Sequence, residues 1–141
     1  MNAYAKSADA YLSQRILGTT PEQQAALIME AGQLHLGRAI QALNQDNLAA
    51  ATRSYIRVSE VIQEATIRLN LEGGGELAHN LAKLYDWWTR ETMAAARTRD
   101  AHRLAAVAHG MGEIRQAWEQ FHKKKLETSE VPAFQLGNRV G

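Results

Sequence analysis

The stretch LNLEGGGELAHNLAKLYDWW, residues 69–88, decides the architecture. Three consecutive glycines, Gly73 to Gly75, interrupt a chain otherwise rich in Ala and Leu. Glycine favours helix ends because it enters the left-handed conformation without the penalty of a Cβ. Upstream, Leu48, Ala51, Tyr55, Val58, Ile62, Ala65 and Leu69 recur by threes and fours, the spacing of a packed helix seam. Downstream, Leu77, Leu81, Leu84, Trp88 and Ala95 form a similar stripe. The glycines therefore predict a corner between two helices.

Two further helices lie outside this pair. Thr20 is a candidate cap, Pro21 suits the first helical position, and Gln23 completes a capping box. That helix is expected to run to about Leu43, with Ile28, Ala31, His35, Ala39 and Leu43 on one side. Gly32 and Gly37 each weaken it by about 1 kcal/mol relative to Ala, unless a neighbour packs closely there. NQDN, residues 44–47, reads as a turn with Asp46 as the next cap. RTRD, residues 97–100, is the third corner, capped by Asp100. The last helix follows with Leu104, Val107, Met111, Ile114, Trp118 and Phe121. Four helices of similar length with short corners predict an all-α, antiparallel up-down four-helix bundle over residues 20–122. Residues 1–19 form a short N-terminal segment, helical or mobile, and residues 123–141 a flexible tail.

Composition narrows the function. The chain is 45% hydrophobic and 22% charged, the balance of a folded domain, and 141 residues suffice for one core. Sixteen basic and 15 acidic side chains give a net charge of +1, which does not favour nucleic-acid binding. There is no cysteine, so disulfides and thiol catalysis are excluded. No run approaches the ~20 apolar residues of a membrane span, and the N-terminus is not patterned as a secretory signal. A soluble protein without membrane insertion is expected, and the absence of cysteine suits the cytosol, the location that the family resemblance described below implies.

No motif supports catalysis, a metal or a cofactor. Glu76 and His79 have the Glu-x-x-His spacing of di-iron bundles, but the second copy such a site needs is missing. His102 and His109 share a helix face without a carboxylate in register and read as surface residues. GGGE lacks the preceding strand and the Lys-Ser/Thr of a phosphate loop. Lys123 to Lys125 read as complementing the dipole at a helix C-terminus.

The aromatics say more. Adjacent helical residues point about 100° apart, so Trp87 and Trp88 cannot share a narrow seam. Trp88 continues the apolar stripe. Trp87 lies on a polar line with Asn80, Lys83 and Arg90, and Tyr85 sits near the seam's edge. An exposed Trp near other apolar groups suits an interface anchor as well as it suits flank packing. Tyr4, Ala8 and Tyr11 would share one face of a segment too short to be stable alone, which either docks as a fifth helix or covers a groove.

Taken in order, YLSQRILGTTPEQ (residues 11–23), GGELAHNLAKLYDWW (74–88) and IRQAWEQF (114–121) resemble the FliS family of flagellin export chaperones. Tyr11, Ile16, Thr20 and Pro21 carry the first match. Gly74, Gly75, Glu76, Leu77, Ala78, Asn80, Leu81, Leu84, Tyr85, Asp86 and Trp87 carry the second, and Arg115, Ala117 and Trp118 the third. Ile28 to Ala31 and the Ala95–Ala96 pair depart from the family pattern. The resemblance implies a helical bundle that holds the disordered C-terminal segment of flagellin, one to one, in a hydrophobic groove. It further implies that binding prevents early polymerisation and keeps the client competent for type III secretion. Components of the flagellar export gate are further candidate partners. Tyr11, Ile16, Ile56, Ile67, Tyr85 and Trp87 are the expected groove residues, with Tyr4 lying on the groove in the free protein. Tyr11 and Ile16 rest on the resemblance; Ile56 and Ile67 are branched apolar residues off the main seam of their helix. The alternative is a structural bundle that uses the same apolar groups to self-associate.

Overall fold

The computed structural model describes the backbone of residues 20–140 and the side chains of residues 20–127. Four helices follow one another: α1 (Pro21–Asn44), α2 (Leu48–Ile67), α3 (Gly75–Thr98) and α4 (Ala101–Val140). They close a ring in which α1 packs on α2 and α4, and α3 packs on the other sides of the same two. The antiparallel sense is visible in side-chain pairs. Gln24, near the start of α1, accepts from Arg68 just beyond the end of α2. Glu22, Glu30 and Gln33 of α1 pair in turn with Lys125, Arg115 and the Ala108 carbonyl of α4.

The seams form the core. Leu36, Val58, Trp88, Leu104, Val107 and Met111 are sealed from solvent, joined by Ile28, Met29, Ile62 and Leu81. Fully burying one such side chain stabilises the fold by about 1.5–3 kcal/mol. Thr92 is the buried polar member of α3, and its hydroxyl is satisfied by the Trp88 carbonyl at 2.8 Å. At Gly32 α1 packs tightly on its neighbours: a Cβ there would lie 2.4 Å from Met111 Sδ and 3.3 Å from Val61 Cγ1. Gly37 has open space around it. Only the first of the two glycines is there for close packing.

The caps follow the sequence at two helix starts and depart from it at one. Thr20 and Gln23 form the reciprocal capping box of α1, with Pro21 in its first turn. Asp100 accepts from the backbone N–H groups of His102 and Arg103 at the head of α4. Before α2, however, the cap is Asn47, whose side chain accepts from Ala50 N at 3.1 Å. Asp46, the expected cap, instead adopts a left-handed conformation with φ 54° to turn the chain.

α4 continues as helix to Val140. Lys123 to Lys125 are consequently interior to the helix and do not complement its end. HKKKLE contains strong helix formers and no stop signal, and Lys125 is drawn onto α1 by Glu22.

Candidate functional site

The corner after α2 is the longest of the three, and it leaves one end of the bundle open. Asn70 shapes it: its side chain accepts from Gly73 N and its carbonyl from Gly74 N. A Cβ on Gly74 would meet the Asn70 carbonyl at 2.4 Å, and Gly75 has φ 64°, so the glycines are required by both crowding and conformation. Behind this corner lies a cleft of about 420 Å³ with Ile28 and Met29 of α1, Leu77, Leu81 and Tyr85 of α3, and Trp118 of α4 on its walls. A second groove of about 370 Å³ runs between α2 and α3, lined by Ile62, Thr66, Ile67, Ala82, Tyr85 and Thr89.

Tyr85 borders both. It is buried, with its ring stacked on Trp88 at a centroid distance of 5.3 Å and an interplanar angle of 27°. Burial pushes the pKa of its hydroxyl up, against a smaller opposing pull from its hydrogen bond with Trp118. The expected edge residue is therefore a wall between two apolar recesses, anchored in the core.

The other expected groove residues are split. Ile67 is 76% exposed and lies on the α2–α3 groove, beside Tyr85. Ile56 is also exposed, eleven positions earlier on the same line of α2. Trp87 is 44% exposed but lies about 200° round α3 from Tyr85, away from the groove and outside both sets of lining residues. Tyr4, Tyr11 and Ile16 lie outside the described residues, as does the expected covering of the groove by residues 1–19.

The clefts also include residues that the sequence assigned to the seam. Leu77 continues the α3 stripe yet is 62% exposed, because it lies in the first turn of α3 where the bundle opens. Trp118 is only partly covered and meets Phe121 edge-on at 6.2 Å. Seam residues near helix ends, where neighbouring helices have stopped, were the signal for these.

Glu22 stands on the rim of the first cleft. Its carboxylate is buried, bonded to Lys125 Nζ at 2.9 Å, with His122 Nδ1 at 3.9 Å. The Lys125 bond holds this carboxyl below its ordinary pKa, opposed by desolvation. Among the described residues no group of three His, Asp or Glu side chains converges as a metal site would require. No helix among them is long and apolar enough to cross a membrane.

The family model described as Flagellar protein FliS matches residues 3–125. The chain belongs to the FliS family. Similar proteins carrying the name flagellar secretion chaperone FliS include those of Salmonella typhimurium and Vibrio cholerae. The first is 26% identical over 125 residues, covering 88% of this chain and 90% of that one. The second is 27% identical over 121 residues, covering 85% and 86%. A third, from Bacillus subtilis, is 25% identical over 111 residues, covering 79% and 82%. The FliS match takes in the whole bundle, both clefts and the Glu22–Lys125 pair, and the last turns of α4 lie beyond it.

Proposed function

We propose that this FliS protein is a flagellar secretion chaperone that binds the C-terminal segment of flagellin, one to one, in the cytosol. The observation that supports this most directly is the pair of apolar clefts on either side of Tyr85. A disordered export client with amphipathic helical segments exposes apolar faces that would otherwise find other copies. Two recesses separated by one rigid aromatic wall suit such faces, as in helix-in-groove recognition. Ordering the client on binding costs conformational entropy, which keeps the complex releasable for the type III export machinery, whose gate components are further candidate partners. Ile67 and Tyr85 form the groove contact. Ile56 extends it along α2, and Trp87 is an outlying anchor for a client that continues round α3. Tyr11 and Ile16 complete the client surface, with Tyr4 covering it before the client arrives.

Calorimetric titration with the C-terminal segment of the flagellin from the same organism tests this reading. One-to-one binding with a negative heat-capacity change is expected, the mark of apolar burial. Absence of binding together with concentration-dependent dimerisation in light scattering would instead favour a self-associating bundle.

A further inference from the structure

The end of the bundle opposite the clefts carries the α1–α2 and α3–α4 corners, and its charge is distinctive. Residues 38–57 and 91–103 hold six arginines against Asp46, Glu91 and Asp100. Residues 60–76, which lead to the cleft end, hold four glutamates against Arg68. The net charge of the chain conceals this polarity along the bundle axis.

Among the described residues, much of this basic charge has no ion-pair partner. Arg53, Arg97 and Arg99 are exposed and, among the described residues, form no ion pair. The contacts of Arg103 with Glu91 and Asp100 are long, at 4.0 and 3.7 Å. Arg97 stands in the last turn of α3, where a cation complements the helix dipole, so its presence alone is unremarkable in energetic terms.

Arg99 is different. It caps α3 in the left-handed conformation, φ 55° and ψ 43°, a position glycine commonly takes because a Cβ is unfavourable there. An unpaired guanidinium thus occupies a site where glycine would relieve the backbone, and non-glycine residues in such conformations cluster at functional positions. Near it, the Tyr55 hydroxyl is buried without a hydrogen-bond partner among the described residues, close enough to feel the Arg99 charge.

We infer that the corner end of the bundle is a docking surface for a carboxylate-rich segment of a partner protein, anchored by Arg97 and Arg99. Guanidinium forks match carboxylates in bidentate geometry. Asp46 and Asp100 interrupt the positive field, which suits spaced carboxylates better than a continuous phosphate backbone or an anionic bilayer. Residues 91–103 contain no Phe, Tyr or Trp for base stacking or membrane insertion. Exposed Leu48 and Met93 give such a segment apolar neighbours for its own aliphatic residues. This surface is independent of the clefts, so both ends can be occupied together.

The test is fluorescence anisotropy of the full-length protein with a labelled peptide of repeated Glu-Glu-Leu, at low and near-physiological salt. Binding that weakens with salt is expected, reduced about ten-fold in the Arg97→Gln/Arg99→Gly double variant. That variant should melt no earlier than the parent, because glycine suits the left-handed position. Arg97→Gln alone should weaken binding by about three-fold. Equal affinity of the parent and the double variant would overturn the inference. So would duplex DNA or phosphatidylserine vesicles competing as strongly as unlabelled peptide through the same arginines.

Discussion

Glu22 and Lys125 lie 103 positions apart and meet at 2.9 Å, joining the first turn of α1 to the extension of α4. His122 adds to the same junction, its Nδ1 lying 3.1 Å from Thr20 Oγ1. Lys125 is more than half exposed, so solvent screens the charge attraction, but Glu22 is buried and loses its hydrogen-bond donor if Lys125 is removed. Lys125→Met, which keeps the aliphatic stem, should cost about 1–2 kcal/mol in urea unfolding at neutral pH. The carboxyl is held below 4.5, so its stabilising contribution is complete above that pH and is lost as pH falls through the lowered folded value. The difference between parent and variant should thus be constant from neutral pH to about 5 and shrink under more acidic conditions.

The two glycines of α1 should respond in opposite directions. Gly37→Ala adds a methyl into open space at an exposed position of α1 and should stabilise by about 0.5–1 kcal/mol. Gly32→Ala gains the same propensity but pushes on Met111, which is sealed in the core, and overpacking of this kind costs about 1–3 kcal/mol. Paired chemical denaturation curves check the signs, and a stabilised Gly32→Ala would contradict the close approach of α1 and α4.

Substitutions at the neighbouring aromatics should separate fold from binding. Trp88→Ala and Tyr85→Ala remove buried, stacked rings and should each cost about 3–5 kcal/mol in thermal or denaturant unfolding. Trp87→Ala should leave stability within about 0.5 kcal/mol. Client affinity lost at Tyr85 therefore has to be read beside a folding measurement.

Ile67→Ser is the cleaner probe of the α2–α3 groove, since the side chain is largely in water already. Stability should change by no more than about 0.5 kcal/mol, while affinity for the flagellin segment falls by about 1 kcal/mol or more, roughly five-fold or greater. Calorimetry on the parent, Ile67→Ser and Trp87→Ala would rank the two positions. A larger loss at Trp87 would move the client path to the outer face of α3.

The α1–α2 corner assigns different chemistry to adjacent residues. Asn47→Ala removes the hydrogen bond to Ala50 and should destabilise by about 0.5–1 kcal/mol, the lower part of the range for exposed caps. Asp46→Gly should be neutral or stabilising, because the backbone there is already left-handed. Melting temperatures of the two variants suffice, and the reverse order would restore Asp46 as the cap.

The sequence by itself determined the helices and their connectivity. The three-and-four spacing through Val58, Ile62 and Ala65, the capping box at Thr20 and the glycine corner are local features, and local hydrogen bonding and periodic burial are enough to define them. The spacing also distinguished Trp88 from Trp87, because one residue of helix is a fixed rotation. What it left open depended on where a neighbour ends or begins. Leu77 fits the same stripe as Leu81, but only the packed bundle shows that one faces an opening and the other the core. Tyr85 looked like an edge residue until the positions of Trp88 and Trp118 made it a wall between two recesses. The pairing of Lys125 with Glu22 joins residues 103 positions apart, which no local pattern could assign. Burial and pairing of this kind are properties of the assembled helices, and tertiary structure alone decided them.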